Sequence, residues 1–179
     1  ALDAKSGEPV WDTPMGELSV LQEKRSLAAD RYGPSGAPVW TSPAVDPVRG
    51  VLYVGTGENY SSPADGWSDA IVALELETGR PRWVRQATRD DAFNWGCLVP
   101  LHPNCPDEDG PDLDFGASPI LVERPGGGSL LLAGQKSGVV HALDSTGVIR
   151  VAAGTAGIGG GTTTPPPPPS QAVGRPSKP

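Results

Sequence analysis

Apolar and polar residues alternate along most of the first 150 residues, in segments typical of half-buried β-strands. Two runs of four such segments are separated by turns rich in Gly and Pro. The predicted strands are 39–46, 51–56, 70–76 and 81–86 in the first run, and 116–123, 129–134, 138–143 and 148–151 in the second. No apolar stripe of helical period extends beyond about three turns, so the pattern predicts an all-β chain.

A repeated motif accompanies these strands. Its copies are ALDAKSGEPVW at 1–11, ALELETGRPRW at 73–83 and the shorter ALDSTGVIRV at 142–151, and they begin 72 and 69 residues apart. Ser/Thr-Gly between two apolar segments is typical of a hairpin, because glycine takes the positive φ that the turn requires. The tryptophans that end two copies, Trp11 and Trp83, are expected to dock one repeat on the next.

Repetition at this period predicts the blades of a β-propeller, which are sequential four-stranded antiparallel sheets. The predicted fold is all-β, a partial β-propeller of about two full four-stranded antiparallel blades plus part of another. A β-sandwich with coincidental turns is the alternative. Because a closed propeller needs about four to eight blades, we expect the chain to be a fragment of a longer propeller.

Composition divides the chain into two parts. Its 24 Gly and 21 Pro make up about a quarter of the 179 residues, against about 12% in average proteins. Residues 1–150 are predicted to form the propeller fragment, where these residues mark turns. Residues 151–179 are predicted to be a disordered Gly/Pro-rich tail. A plain spacer and a polyproline ligand for an SH3-type domain both remain open for this tail.

Net charge limits the classes of partner. The chain carries a formal charge of −7 at pH 7, which excludes the phosphate-neutralising surface of a nucleic-acid-binding protein. No apolar run reaches the roughly 18 residues that a membrane-spanning helix needs. We therefore expect neither a nucleic-acid partner nor a membrane span.

Two cysteines flank the Pro-rich segment CLVPLHPNC. We predict a disulfide between Cys97 and Cys105, because the loop lacks other means of order and such bonds persist in oxidising compartments. Alternatively, Cys97, His102 and Cys105 could supply three zinc ligands, although no fourth ligand lies at a usual spacing.

The ALDxxTGxxxW copies resemble the tryptophan-docking repeat of pyrroloquinoline quinone (PQQ) dehydrogenases. Residues 34–83 are most similar to the polyvinyl-alcohol-dehydrogenase-like branch, and the motifs GASPIL and AGQKSGVVHALD extend the likeness to residue 151. The resemblance implies an oxidoreductase that oxidises a secondary or polymeric alcohol. It further implies transfer of electrons to an external acceptor such as a cytochrome c, and a periplasmic or secreted location.

The resemblance also implies roles for individual residues. Trp40 matches a tryptophan that lies beneath the quinone ring, where a flat indole suits a planar cofactor. The GTGEN loop matches a loop that helps to bind Ca²⁺, and Glu58 or Asn59 would supply the hard oxygen that this ion prefers. Lys136 matches a basic residue that touches the quinone oxygens.

The sequence departs from the family pattern at the general base. The family has an Asp after T-x-H-D-x-W, whereas residues 88–94 read TRDDAFN and place Asn94 there. An amide cannot accept a proton at neutral pH, so Asp91 is the alternative base, and Asn94 could lie on the cofactor side. The acidic run DEDGPDLD at 107–114 lacks the spacing of a calcium-binding loop and is expected to be solvated.

Two further hypotheses concern activity, one from that departure and one from the chain being a fragment of a propeller. A non-catalytic propeller that binds protein partners is the alternative function, favoured by the missing Asp and disfavoured by the set Trp40, Glu58 and Lys136. The isolated 179-residue chain is also expected to be inactive on its own.

Overall fold

The structure, a computed structural model, describes residues 1–26, 29–100 and 102–154, with the backbone alone for 150–154. Ten strands and one short 3-10 helix, Trp95–Leu98, form the regular structure of these residues. The strands are β1 (Val20–Glu23), β2 (Arg31–Gly33), β3 (Ala44–Asp46), β4 (Val51–Gly55), β5 (Ala70–Glu75), β6 (Pro81–Gln86), β7 (Ile120–Glu123), β8 (Ser129–Gly134), β9 (Val139–Leu143) and β10 (Ile149–Gly154). The all-β prediction is confirmed.

Two antiparallel four-stranded sheets account for most strands. Strands β3 to β6 form the first blade and β7 to β10 the second, each with its strands adjacent in chain order. β1 and β2 form a separate two-stranded sheet. Sequential order within each sheet is the arrangement of a propeller blade, and differs from the Greek-key connections of a sandwich. The predicted partial propeller is therefore confirmed. No helix in the described ranges is long and apolar enough to cross a bilayer.

The strand boundaries differ from prediction where prolines intervene. β3 and β7 begin at Ala44 and Ile120, directly after Pro43 and Pro119, and proline cannot donate to a ladder. The residues before them, predicted as strand from 39 and 116, turn away instead. β10 continues to Gly154, into the segment predicted as tail; the rest of that tail, from residue 155, lies outside the described residues.

The central strands of the first blade are apolar on both faces. In β4 and β5, alternate residues point to opposite sides, and one set packs with Phe115 and with β8 and β9 of the second blade. That cluster contains Val51, Tyr53, Ile71, Ala73, Phe115, Leu131, Ala133 and Leu143. The other set, Val54, Ala70, Val72 and Leu74, packs against side chains that include Trp11 and Met15. The first blade is therefore buried between the second blade and the N-terminal segment.

The repeated motif docks one element on the next. Trp11 Nε1 donates to the Leu76 carbonyl at 3.1 Å, and Trp83 Nε1 donates to the Ser145 carbonyl at 3.1 Å. A Cβ at Gly147 would lie 2.8 Å from the Trp83 ring, and Gly147 has a φ of +78°. The glycine of one motif copy therefore makes the hairpin turn and leaves room for the tryptophan that ends the previous copy.

Candidate functional site

Four connecting segments meet at one end of the two blades. They are the segment before β3, the β4–β5 and β8–β9 connections, and the long β6–β7 connection between the blades. Because neighbouring strands are antiparallel, every second connection lies at the same end of the sheet, and these four segments all do so. Candidate residues that are far apart in sequence are thereby brought together.

Three carboxyl groups form an acidic cluster at this edge. Glu58, Asp112 and Asp114 each offer an oxygen within 4.8 Å of the others. The Glu58 backbone N–H donates to Asp114 Oδ1 at 2.9 Å. Glu58 and Asp114 are buried, at 7% and 4% exposure, and Glu58 Oε2 has no hydrogen-bond partner among the described residues. The cluster therefore contains a buried oxygen that the protein leaves unpaired.

Lys136 neutralises part of this cluster. Its Nζ lies 2.5 Å from Asp112 Oδ1 and 2.8 Å from Asp114 Oδ2. The Lys136 backbone N–H donates to the Asp114 carbonyl at 2.9 Å, which fixes the β8–β9 turn beside the acidic segment. Both the main chain and the side chain of Lys136 are thus tied to the β6–β7 connection.

Burial and these contacts set the protonation of the cluster. Burial first, and then the Asp114 carboxylate, raise the pKa of Glu58 to about 8. Burial acts to raise the pKa of Asp114 too, but hydrogen bonds from Glu58 and Lys136 hold it below its ordinary value. Partial burial acts to lower the pKa of Lys136, and the two aspartates raise it by more. At neutral pH, Glu58 is therefore protonated while Asp114 and Lys136 are charged.

Trp40 and Lys136 line one cavity of about 450 Å³. The Trp40 side of this cavity rests on Gly116, where a Cβ would lie 3.0 Å from the indole. Lys136 Nζ is 5.8 Å from the centroid of the Trp40 ring, within cation–π range. The cavity therefore offers a flat aromatic surface with a cation at its side.

Lys136 also lines a second cavity, of about 420 Å³. Glu58, Asp112 and Lys136 form its polar wall, and its apolar lining includes Phe93 and Trp95. Lys136 therefore lines both cavities.

The Asn59 side chain is bound within its own loop. It is fully buried, and its Oδ1 accepts a hydrogen bond from the Asp65 backbone N–H at 2.8 Å. Of the two oxygen donors that the GTGEN loop offered, the structure places Glu58 beside other carboxylates and uses Asn59 to hold its own loop.

Asp91 is fully buried and bound to the main chain. Its two carboxylate oxygens accept the backbone N–H groups of Asp112 and Leu113 at 3.1 and 2.9 Å. Its own carbonyl accepts from the Asn59 N–H at 3.2 Å. Asp91 thus joins the Glu58–Asn59 loop to the segment that carries Asp112, and it does not line either cavity.

Asn94 lines the second cavity with its hydrogen-bonding groups engaged. Its Oδ1 caps the 3-10 helix by accepting from the Gly96 N–H at 2.7 Å, and its Nδ2 donates to the Tyr60 and Asn104 carbonyls. The side chain therefore holds the cavity wall together.

The predicted disulfide is present in that wall. Cys97 and Cys105 are bonded, with Cα atoms 4.7 Å apart. A disulfide sulfur is not the thiolate that zinc binds, so the alternative zinc set of Cys97, His102 and Cys105 is wrong for this structure. His102 Nδ1 instead accepts the Asn104 N–H at 3.2 Å.

A family model described as glucose/ethanol/alcohol dehydrogenase, beta-propeller domain, and named for PQQ, matches residues 1–147. The chain belongs to this family. The polyvinylalcohol dehydrogenase of a Pseudomonas sp is 41% identical over 145 residues, which are 80% of this chain and 22% of that protein. The polyvinylalcohol dehydrogenase of Sphingopyxis sp. (strain 113P3) is 39% identical over 147 residues, with the same coverage of 80% and 22%.

A solved structure is similar in fold to this member of the PQQ dehydrogenase family. It is the quinohemoprotein alcohol dehydrogenase ADHIIG from Pseudomonas putida HK5, with a TM-score of 0.58 and 25% identity. The similarity covers 86% of this chain and 23% of that one. The chain thus spans about a fifth of the length of the relatives it matches. The resemblance to PQQ dehydrogenases is confirmed.

The residues present fit the groups that this family implies. Ca²⁺ prefers carboxylate and carbonyl oxygens, and the acidic cluster supplies three carboxyls, with Glu58 Oε2 unpaired. PQQ is a planar, anionic quinone, and the cavity of Trp40 and Lys136 supplies an indole face and an ammonium. The fit rests on Trp40, Glu58 and Lys136 from the sequence-based set, together with two aspartates that sequence reasoning missed.

Those two aspartates are Asp112 and Asp114, which were expected to belong to a solvated loop. The structure corrects this expectation, since Asp114 is 4% exposed and both bind Lys136. Their alternation with Pro111 and Leu113, one residue before GASPI, is the signal that the sequence offers. Alternate residues of an extended segment point to the same side.

Proposed function

We propose that this chain contributes the cofactor-binding edge of a PQQ-dependent alcohol dehydrogenase that acts on a secondary or polymeric alcohol. The observation that carries the proposal is the convergence of Trp40, the acidic cluster and Lys136 at one edge of the blades. The 41% identity to a polyvinylalcohol dehydrogenase supports the polymeric substrate. We also propose an external electron acceptor such as a cytochrome c, and a periplasmic or secreted location that agrees with the disulfide.

Asp112 is the residue we assign to accept the proton of the substrate hydroxyl. It lines the second cavity, whereas Asp91 is enclosed and bound to backbone N–H groups. A general base must reach the proton that it removes. Asp91 then acts as a positioning residue for the Asp112 segment, and Asn94 holds the cavity wall.

Cofactor and metal would be held by neighbouring groups of the chain. Trp40 would stack against the quinone and Lys136 would lie beside its oxygens, while Glu58, Asp112 and Asp114 would ligate Ca²⁺. The bound quinone supplies the capacity to accept two electrons. The chain supplies orientation, charge and the apolar lining of Phe93 and Trp95, against which the carbon chain of the alcohol would pack.

The test uses the full-length protein that carries this chain, reconstituted with PQQ and Ca²⁺. We expect alcohol-dependent bleaching of the quinone absorbance, with polyvinyl alcohol and short secondary alcohols compared as substrates. At saturating PQQ and Ca²⁺, Asp112→Asn should lower kcat by about 10²- to 10⁴-fold, and it should also weaken Ca²⁺ binding, because Asp112 is one of the proposed ligands. The matched control is Asp107→Asn, whose exposed carboxylate pairs with Arg31.

Two results would count against this assignment. If the reconstituted protein neither changes its quinone absorbance nor oxidises alcohol, the proposed activity is wrong. A scaffold would also show no tryptophan quenching by PQQ in either the wild type or Trp40→Ala. If Asp112→Asn keeps full kcat, the base lies elsewhere.

A further inference from the structure

We propose that the Lys136 ammonium is an internal counter-ion that holds the place of the divalent cation, and that metal binding displaces it into the Trp40 cavity. Binding of metal and of cofactor would thereby be coupled through one side chain. This inference rests on the proposed function for the identity of the cofactor, but its first test requires only metal.

The first step is that Lys136 and a metal ion would need the same oxygens. Lys136 Nζ contacts Asp112 Oδ1 at 2.5 Å and Asp114 Oδ2 at 2.8 Å. Both aspartates belong to the group of three carboxyls that are close enough to share an ion. Ca²⁺ binds oxygens at about 2.3–2.6 Å, so an ammonium within hydrogen-bond distance of the same oxygens would compete with it.

The second step is that the cluster has ligand capacity that Lys136 does not use. Glu58 is 7% exposed, and its Oε2 has no hydrogen-bond partner among the described residues. The Glu58 backbone N–H donates to Asp114 Oδ1, so the two residues are already adjacent. A divalent ion would engage all three carboxyls, whereas the single ammonium reaches two. Exchange of one cation for the other therefore uses the buried oxygen of Glu58.

The third step is that Lys136 has a second place for its charge. Its side chain lines both cavities, and its Nζ is already 5.8 Å from the Trp40 centroid. The main chain of the turn is held by the bond from the Lys136 N–H to the Asp114 carbonyl, so rotation of the flexible stem is sufficient. Released from the carboxylates, the ammonium would face Trp40 and attract the oxygens of an anionic cofactor.

Linkage then makes the coupling reciprocal. If metal releases Lys136 toward the cofactor cavity, the cofactor must raise the metal affinity by the same factor. Because Lys136 neutralises Asp112 and Asp114, it also offsets charge that the cluster would otherwise carry uncompensated. One lysine thus stabilises the metal-free state and prepares the metal-bound state.

The first experiment measures metal affinity alone. Tb³⁺ luminescence, excited through nearby aromatic residues, reports occupancy in the full-length protein, and Ca²⁺ is titrated in competition. We expect Lys136→Met to bind Ca²⁺ about tenfold more tightly than the wild type, Lys136→Arg to stay near the wild type, and Glu58→Gln to weaken binding. The exposed Lys24→Met is the matched control and should change nothing.

Opposite results overturn the inference. Unchanged or weaker Ca²⁺ binding by Lys136→Met, with a far-UV circular dichroism spectrum like the wild type's, would mean that Lys136 does not compete. Unchanged binding by Glu58→Gln would place the ion elsewhere. If Lys136→Met fails to fold, Lys136→Gln is measured in its place with the same expected tightening.

The second experiment measures the coupling. PQQ affinity is followed by tryptophan quenching with and without Ca²⁺, in the wild type and in Lys136→Met. We expect Ca²⁺ to raise the wild-type affinity by about 5- to 150-fold, and by clearly less in the variant. Equal coupling in both proteins would refute the role of Lys136.

The two proposals fail in different ways. If the full-length protein oxidises alcohol but Lys136→Met does not change Ca²⁺ affinity, only this inference is wrong. If Lys136→Met binds Ca²⁺ more tightly but the protein oxidises no alcohol, only the proposed function is wrong.

Discussion

At the scale of residues, two buried aspartates lie next to each other close to the acidic cluster. Asp69 and Asp91 are both fully buried, and no donor among the described residues reaches either oxygen of Asp69. Burial first, and then the Asp91 carboxylate, raise the pKa of Asp69 to about 9; Asp114 and Glu58 act in the same direction. Asp69 therefore keeps a proton at neutral pH and can share it with Asp91, which positions the Asp112 segment.

Asp69→Asn should remove a pH dependence of stability. Protonated Asp69 stabilises the folded state fully below the ordinary value near 3.8, and that contribution is lost as pH rises through about 9. Asparagine is neutral at every pH, donates to Asp91 through its amide, and tolerates the φ of +46° at this position. At about pH 9, we expect the variant to be more stable than the wild type by about 1–3 kcal/mol.

Urea denaturation at about pH 5 and about pH 9 measures this difference. The exposed Asp107→Asn serves as the control and should leave the wild-type dependence intact. Equal pH dependence in the wild type and Asp69→Asn would show that Asp69 is not the protonated member of the pair.

At the scale of elements, the motif tryptophans connect each blade to its neighbour. Trp83 ends the second copy of the repeat, lies over Gly147 in the third, and donates to the Ser145 carbonyl. Its ring is also 5.8 Å from that of Tyr53 and packs against the core that the two blades share. The turn glycine of each motif copy is therefore the docking surface for the tryptophan of the preceding copy. Trp11 and Gly79 make the same contact between the first and second copies.

Trp83→Ala should destabilise the contact between the blades. Loss of a large side chain from a packed interface, with its hydrogen bond, is expected to cost about 3 kcal/mol. Trp95→Ala is a matched control, because Trp95 is 83% exposed, and it should change the free energy of unfolding by less than about 0.5 kcal/mol. Equilibrium urea unfolding compares the two variants. An equal decrease in the free energy of unfolding for both would mean that Trp83 does not dock the blades on each other.

At the scale of the whole molecule, Phe115 links the blades to the site. It is 1% exposed within the core that both blades share, and its N–H donates to the Thr56 carbonyl at 3.1 Å. Its ring meets that of His141 edge-on at 5.3 Å. Because Phe115 follows Asp114 directly, the same residue that completes the core also positions a carboxylate of the acidic cluster.

Phe115→Ala should therefore affect both blades together. We expect a loss of about 3–5 kcal/mol, with equal shifts in the transitions seen by tryptophan fluorescence and by far-UV circular dichroism. Ile120→Ala, at a position 60% exposed, is the control and should leave both transitions nearly unchanged. A shift in only one signal would mean that the blades unfold independently.

Much of the fold could be predicted, because its causes are local. Period-2 alternation defines strands such as β4 and β5, and Ser/Thr-Gly defines hairpin turns such as that at Gly147. The disulfide between Cys97 and Cys105 followed from a short loop with two cysteines. Strand starts were less predictable at Pro43 and Pro119, because proline cannot donate to the ladder and the strands begin only after it.

The sequence alone determined the blades, their order and the family, and it identified Trp40, Glu58 and Lys136 as candidates. Only the tertiary structure decided which carboxylates lie beside them. Glu58 meets Asp114 across 56 residues of chain, while Asn59 and Asp91 turn inward to hold the loops. Hydrophobic period and turn chemistry act between neighbours along the chain, whereas the direction of a loop side chain is settled by the elements packed against it.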